Sequence, residues 1–119
     1  AHLIFCLGMN NNIAIKKLMN NFVKMTIHFN KYGDSLGTRQ LGAQIRSEIE
    51  LLLAKNEKLI FDFDGVQLIA NSFADECFGK LIFAFEFSIL KNKIEFKNAN
   101  EFNRQVIKNV FRQRTLPTA

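Results

Sequence analysis

The sequence is poor in the residues that usually mark a sugar-binding or disulfide-rich protein. It contains no tryptophan, one tyrosine and two cysteines, Cys6 and Cys77. Tryptophan and tyrosine are the amphipathic aromatics common at sugar sites, so their scarcity argues against carbohydrate binding. Two isolated cysteines form neither a dense disulfide framework nor a CxxC metal motif, and we expect them to be reduced thiols.

Long apolar runs are missing as well. Glycine, asparagine, lysine or an acidic residue interrupts each run before it reaches the roughly 18 to 20 residues that a membrane-spanning helix needs. The apolar stretch at residues 3–7 has no preceding basic region and no small-residue cleavage site after it, so it is a poor match to a signal peptide. We therefore expect a cytoplasmic protein without a membrane partner.

The residues that are present predict one folded domain. Hydrophobic residues make up 48% of the 119 residues and include 13 phenylalanines, which predicts a core of phenyl rings. The net charge of +5 is concentrated at the two ends of the chain. Basic ends of this kind are also typical of solvated helix faces, so nucleic acid is not the partner that we expect.

Residues 1–24 differ from the rest of the chain. Three consecutive asparagines, residues 10–12, precede a stretch in which apolar residues recur at helical spacing. These residues are Ile15, Leu18, Met19, Phe22 and Val23. The segment is interpreted as a helix packed on the domain, an element of a homodimer, or upstream or vector-derived sequence, and residues 25–119 as the domain itself.

From Met25 onward, strand patterns alternate with helix patterns. Strands are predicted at residues 26–29, 58–66 and 93–97, and helices begin near Thr38, Ser72 and Asn100. This order predicts an α/β fold with a mixed or parallel sheet and helices packed on it. Functional groups are then expected at the carboxyl ends of the strands and the helix starts that face them.

Several individual positions carry structural expectations. Gly42 lies beside the apolar stripe of the first helix, where a missing side chain lets the helix approach its neighbour closely. Phe102 and Phe111 are expected to face inward from the last helix, and Cys77 is expected to be a packing residue. Residues 83–89 alternate as a strand would, so the end of the second helix is left open.

Asp62 and Asp64 end the central predicted strand within the sequence Phe-Asp-Phe-Asp-Gly. This segment resembles the first motif of haloacid-dehalogenase-type phosphatases, in which the two aspartates act as nucleophile and acid/base and a magnesium ion neutralises the phosphate. No aspartate follows Asp75 to complete such a metal site. We interpret the pair as strand-end acceptors of hydrogen bonds from loop amides or an arginine. A magnesium-dependent phosphoryl-transfer enzyme is the alternative.

Ser72 opens the second predicted helix, and Asp75 and Glu76 follow it. Ser72 is expected to cap the helix by accepting a hydrogen bond from the Asp75 amide. The two acidic side chains are expected to be stabilised by the positive end of the helix dipole. The alternative is phosphorylation of Ser72, because a helix start supplies amides and positive potential for a phosphate. The two neighbouring carboxylates argue against that alternative because they would repel the added charge.

Thr38 is expected to cap the first helix, and Arg39 lies in its first turn, where the helix dipole disfavours a cation. Three interpretations stay open for Arg39. It clamps an anion, as in a nucleotide or anion sensor; it pairs with Asp62, Asp64 or Asp75; or it is exposed to solvent.

A set of spaced positions resembles a bacterial STAS-like family of unsettled function: residues 35–39, Gly42, residues 45–46, 61–66, 72–76 and 78–81. That family is related in layout to the anti-sigma-factor antagonists. In those proteins the segment after the central strand reads Asp-Ser-Ser-Gly, and a partner kinase of the histidine-kinase ATPase fold phosphorylates the second serine. Here the corresponding residues 70–73 are Ala-Asn-Ser-Phe, so only the serine, Ser72, is kept.

The resemblance implies a STAS-like α/β fold with a four- or five-stranded mixed sheet backed by helices. It also implies a non-catalytic regulatory module that works by binding a protein, such as an ATPase-like or kinase-like regulator, without a metal or cofactor. Together with the predicted sheet edge, it indicates a contact surface. The residues of this surface are Thr38, Arg39, Asp62, Asp64, Asn71, Ser72, Asp75 and Glu76.

Overall fold

The computed structural model of the chain describes residues 24–55 and 58–115. The predicted helix before Lys24, and its proposed role in a dimer, lie outside these residues. The described strands are β1 (Lys24–His28), β2 (Ser35–Leu36), β3 (Lys58–Asp62), β4 (Leu68–Ile69) and β5 (Ile94–Lys97). The described α-helices are α1 (Arg39–Ala54), α2 (Asn71–Cys77), α3 (Phe87–Lys93) and α4 (Glu101–Thr115), and 3₁₀ turns lie at Phe29–Tyr32 and Gly79–Phe83.

The described strands form two parallel sheets. One sheet has the order β1-β3-β5, with Ile27, Phe61 and Phe96 in register, and the other pairs β2 with β4. The alternation of strands and helices is therefore confirmed, but the expectation of one mixed sheet is wrong for the described residues. Strands β2 and β4 are only two residues long and pair with each other instead of joining the larger sheet.

Phenyl rings fill the core, as predicted. Leu59, Phe61 and Phe63 alternate toward one face of the larger sheet and are buried, whereas Ile60 and Asp62 alternate with them and are half-buried. Neighbouring rings in this core have centroids 4.6–6.1 Å apart, a normal spacing for aromatic pairs. These rings belong to Phe29, Phe61, Phe63, Phe78 and Phe96.

Helix α1 packs closely against α2 at Gly42. The Thr38 side chain accepts the Leu41 amide at 3.1 Å, which confirms the predicted cap. A Cβ added to Gly42 would lie 2.9 Å from the Phe73 carbonyl oxygen, so the close approach predicted for this glycine is also confirmed.

The second half of the chain gives mixed outcomes. Cys77 is fully buried, which confirms its packing role and raises the pKa of its thiol. The ambiguous residues 83–89 form neither a strand nor a continuous helix, because one 3₁₀ turn ends at Phe83 and α3 begins at Phe87.

The start of α4 has one correct and one wrong expectation. Asn100 accepts the Asn103 amide at 2.8 Å, as a helix cap does. Phe102 is 54% exposed instead of facing inward. The neighbouring Asn103 is buried in its place, because its side chain bonds the backbone of Val66 and Ile69. None of the helices in the described residues is long and apolar enough to span a bilayer.

Candidate functional site

The predicted site residues fall into two clusters in the structure. The strand-end cluster consists of Asp62 and Asp64 with His28 and Asn98. The helix cluster consists of charged residues from α1, α2 and α4 and the turn after α2, next to Ser72. Its charged residues are Arg39, Arg46, Asp75, Glu76, Lys80 and Arg114.

Asp75 links three helices in the helix cluster. Arg114 of α4 donates from Nε to Oδ1 and from Nη2 to Oδ2, both at 2.8 Å, which is a two-pronged arginine–carboxylate pair. Arg39 of α1 donates from Nη1 to Oδ2 at 3.1 Å. Of the three interpretations of Arg39, the structure therefore shows pairing with Asp75, while the Arg39 side chain is also about half exposed to solvent. The hydrogen bonds from Arg114 and then Arg39 lower the pKa of Asp75.

Glu76 is the most heavily paired acid of the helix cluster. Arg46 donates from Nη1 to Oε2 at 2.7 Å and also to the Glu76 carbonyl oxygen, while Lys80 Nζ lies 2.9 Å from Oε1. Arg39 reaches the same Oε1 at 3.2 Å. The bonds from Arg46 and Lys80 lower the pKa of Glu76 from 4.5 to about 2, although partial burial opposes the shift.

These ion pairs limit the chemistry of the helix cluster. A general acid or base works best when its pKa lies near the operating pH. The pKa values of Glu76 and Asp75 are lowered, away from neutral pH, so both carboxylates remain charged at neutral pH. The arrangement is suited to holding α1, α2 and α4 together and to presenting charge, and it is poorly suited to proton transfer.

Ser72 lies beside this cluster, but it does not cap α2. The helix begins at Asn71 with Ala70 as its cap residue, and the Ser72 hydroxyl instead donates to the Gly37 carbonyl at 3.0 Å. The predicted cap is wrong because the helix starts one residue earlier than expected. Asp75 and Glu76 consequently lie beyond the first turn of α2, so the expected stabilisation of these acids by the helix dipole is not found.

Ser72 lines an open groove of about 860 Å³ between α2 and α4. Arg39 of α1 and Asn71 and Asp75 of α2 also line the groove, and the other lining residues come from the 3₁₀ turn and α4. These are Ile82, Phe83, Asn109, Val110, Gln113 and Arg114. The Phe83 side chain is 72% exposed, and the Arg114 guanidinium lies 5.1 Å from its ring centre.

The strand-end cluster is simpler. Asp62 Oδ1 accepts the Asp64 amide at 3.0 Å and the Asn98 Nδ2 group at 2.9 Å, and its Oδ2 lies 3.3 Å from His28 Nδ1. The Asn98 hydrogen bond is the main cause of a lowered pKa at Asp62. The interpretation of Asp62 as an acceptor of loop-amide bonds is confirmed, whereas Asp64 has an exposed position.

The structure gives a further observation on metal binding. Within residues 24–55 and 58–115, no three or more His, Cys, Asp or Glu side chains are grouped so that they could hold a metal ion. Asp62 and Asp64 therefore stand without the additional described donors that a haloacid-dehalogenase-type site would use.

Several contributors to these clusters were not predicted. Lys80 had a readable signal, because it lies four residues after Glu76 on one helical face. Arg114 and Asn98 had none, since they lie 39 and 36 residues from Asp75 and Asp62 and meet them only through the fold. Arg46 lies four residues before Glu50 and pairs with it at 3.7 Å, but its shorter contact, at 2.7 Å, is with Glu76.

The comparison with protein families agrees with the architecture. The model of the STAS-like domain of unknown function (DUF4325) matches residues 42–103. The chain belongs to this family. The matched part of the STAS-like domain includes Ser72, Asp75 and Glu76 but neither Arg39 nor Arg114. No curated protein and no solved structure matches the chain.

Proposed function

We propose that this STAS-like domain is a non-catalytic regulatory module of the cytoplasm that binds a protein partner at the groove beside Ser72. The observation that carries the proposal is the composition of that groove. An exposed aromatic ring, Phe83, and a half-exposed cation, Arg39, flank a serine in an open groove. Phenylalanine and arginine are among the residues that are enriched at protein interfaces.

The ion pairs around the groove support a binding role. Arg114 is held by Asp75, and Arg39 is shared between Asp75 and Glu76, so less side-chain freedom is lost when a partner contacts these residues. The arginine side chains of the groove are therefore held in place before a partner binds. A partner of ATPase-like or kinase-like fold is the one that the resemblance to anti-sigma-factor antagonists favours.

Phosphorylation of Ser72 is the proposed switch. The Ser72 hydroxyl now donates a hydrogen bond to the Gly37 carbonyl. Phosphorylation would remove this donor and add a negatively charged group that can only accept hydrogen bonds when it is fully ionised. The added charge would be repelled by that carbonyl and by Asp75, and it would compete for Arg39. We therefore expect phosphorylation to rearrange the link between β2 and α1 and to weaken partner binding.

The same reasoning favours a binding module over a phosphatase. In a DxDG enzyme the first aspartate attacks phosphorus, but here Asp62 Oδ1 already accepts two hydrogen bonds and Oδ2 faces His28. This engagement supports our proposal that the chain is not an enzyme.

Affinity capture with the full chain tests the proposal. Wild-type, Ser72→Ala, Ser72→Glu and Asp62→Asn baits are compared in an extract of the native host, and the recovered protein is then titrated against each purified variant. We expect one protein to bind wild type, Ser72→Ala and Asp62→Asn alike, and to bind Ser72→Glu at least about tenfold more weakly, which corresponds to 1.4 kcal/mol. Equal binding of Ser72→Glu, or turnover of a phosphate ester that Asp62→Asn abolishes, would overturn it.

A further inference from the structure

A second surface of the described residues differs in chemistry from the Ser72 groove. It is formed by α3, β5 and α4, and we call it the Phe87 face. Two adjoining grooves of about 240 and 430 Å³ make up this face and share three phenyl rings. The apolar residues that line the grooves are Phe87, Leu90, Ile94, Phe96, Ile107 and Phe111.

Helix α4 separates the Phe87 face from the Ser72 groove. Asn109 and Gln113 line the Ser72 groove, whereas Lys108, Phe111 and Arg112 line the Phe87 face. Because an α-helix has about 3.6 residues per turn, these two sets of side chains lie on different sides of α4. The Phe87 face is therefore a surface separate from the one that we propose for the regulatory partner.

The Phe87 face is concave, and its walls are open to solvent. Leu90 at its base is only 2% exposed, while Phe87 is 37% exposed and Phe111 is partly buried. The ring centres of Phe87 and Phe111 lie 5.7 Å apart. Covering apolar surface of this kind is favourable, and an apolar patch with a polar rim is typical of an interaction site.

The rim of the Phe87 face is basic. Lys91 of α3 borders one groove, and Lys108 and Arg112 of α4 border the other. The described residues that line the two grooves include no acid. Within the described part of the chain, none of these three cations forms an ion pair; Arg112 contacts the neutral Asn109, and Lys91 lies over the Phe87 ring. The rim charges are therefore available to an anionic partner.

The positive charge continues at the neighbouring end of the larger sheet. A groove of about 390 Å³ shares Lys91 with the Phe87 face and is also lined by Lys24 and Lys58. Lys24 and Lys58 are in register on adjacent strands, and like charges in this arrangement repel each other. Glu95 also lines this groove, but its carboxylate lies 3.6 Å from Lys97 Nζ. An anionic partner would relieve the repulsion between the lysines.

We propose that the Phe87 face binds an acidic amphipathic helix of a partner protein. The apolar stripe of such a helix fills the two grooves, and its carboxylates lie against Lys91, Lys108 and Arg112. Charge complementarity selects this helix over a basic one. It also disfavours a second copy of the chain, because a symmetric contact would bring the same cations of two molecules together.

Peptide titration of the full chain tests the proposal. The probe is a synthetic amphipathic helix of about 18 residues, roughly 27 Å long, with a leucine stripe and glutamates on its polar side. The comparison peptide keeps the leucines and has lysine in place of glutamate. We expect the glutamate peptide to bind at least about tenfold more tightly by fluorescence anisotropy, with a preference that shrinks as salt is added. Equal binding of the two peptides, or no binding of the glutamate peptide, would overturn the proposal.

Matched variants locate the peptide on the molecule. Phe87→Ser and Lys108→Glu should each weaken binding of the glutamate peptide at least about fivefold. The controls Phe102→Ser and Lys31→Glu change an exposed phenylalanine and an exposed lysine outside the grooves and should bind like wild type. Because Lys108 is itself exposed, Lys108→Glu keeps the test decisive if Phe87→Ser disturbs the fold.

A membrane surface is the competing occupant that the same variants distinguish. Vesicles of phosphatidylserine and phosphatidylcholine are titrated with wild type, Lys108→Glu and Lys31→Glu. We expect weaker binding to the vesicles than to the glutamate peptide, because a concave face receives a helix better than a flat bilayer does. Tighter binding to the vesicles, lost in Lys108→Glu and retained in Lys31→Glu, would overturn the proposal. Equal weakening of peptide binding in Phe87→Ser, Lys108→Glu and both controls would overturn it as well.

Discussion

Two pairs of acidic residues in this domain have opposite surroundings. Asp62 and Asp64 end a strand in a sequence that resembles a phosphatase motif, yet the polar contacts of the Asp62 carboxylate are with a backbone amide, an asparagine and a histidine. Asp75 and Glu76 form an unremarkable helical pair, yet three arginines and a lysine surround them. The pair with the more suggestive sequence has the simpler environment.

The difference shows what a short motif can and cannot predict. Local sequence specifies which side chains are neighbours on one strand or helix, as at Asp62 and Asp64. It does not specify which cations arrive from distant elements, and at Asp75 and Glu76 these cations determine the charge state. The predictions below test whether the helix cluster is indeed the structural and functional centre and the strand-end cluster peripheral.

The largest effect is expected for Glu76→Ala. The Glu76 carboxylate is almost buried, and its loss leaves Arg46 and Lys80 without their shortest partner. We expect the free energy of unfolding to fall by about 2 kcal/mol, measured by urea denaturation. The control is Glu50→Ala, whose more exposed pair with Arg46 should contribute about 0.5 kcal/mol or less. Equal losses in the two variants would contradict the central role of Glu76.

The pH dependence of the free energy of unfolding should reveal the titration of the Glu76 carboxylate. Because the pKa of Glu76 falls from 4.5 to about 2 in the folded protein, its contribution is complete above about pH 5 and is lost as the pH falls toward 2. Asp62 and Asp75, whose pKa values are also lowered, add losses in the same direction. Between about pH 5 and pH 2, the free energy of unfolding of Glu76→Gln should therefore fall less than that of wild type. Urea denaturation at a series of pH values measures this difference. Parallel curves would show that Glu76 titrates normally.

The contact between α1 and α2 is tested by Gly42→Ala. The new Cβ would lie 2.9 Å from the Phe73 carbonyl and 3.1 Å from Glu76 Cβ, so the helices must separate. The gain in helix propensity is about 1 kcal/mol, and overpacking costs more, so we expect a net loss of about 1 kcal/mol in thermal or urea unfolding. Gly37→Ala, where nothing lies within 4 Å, is the matched control. Stabilisation by Gly42→Ala would mean that the helices are not in close contact.

The smallest effect is expected at the strand-end cluster. Asp62→Asn retains one oxygen acceptor for the Asp64 amide and Asn98, so we expect a loss below about 1 kcal/mol. Asp64→Asn, at an exposed position, should change stability by less than about 0.5 kcal/mol. Urea denaturation of both variants at neutral pH measures these values. A loss at Asp62 as large as that at Glu76 would reverse the comparison.

Much of the fold was predictable because it rests on periodic patterns. The apolar stripe of α1, the alternation of Leu59, Phe61 and Phe63, and the small residue at Gly42 all report local geometry. The two-residue strands β2 and β4 were missed because a pattern needs more than two positions. Phe102 was misplaced because the buried position belongs to Asn103, a polar residue whose bonds to Val66 and Ile69 exist only in the folded chain.

The candidate site was less predictable than the fold. Its residue types were recognised, since Arg39, Ser72, Asp75 and Glu76 stand near strand ends or helix starts. The partners of Asp75 depend on where α4 ends in space, and no local pattern places Arg114 there.

The most direct test of the account is the affinity of the purified partner, once captured, for three forms of the full chain, measured by titration calorimetry. Wild type and Asp62→Asn should bind with the same affinity, and Ser72→Glu should bind at least about tenfold more weakly. If Asp62→Asn instead loses binding while Ser72→Glu retains it, the functional surface lies at the strand ends and the account is contradicted.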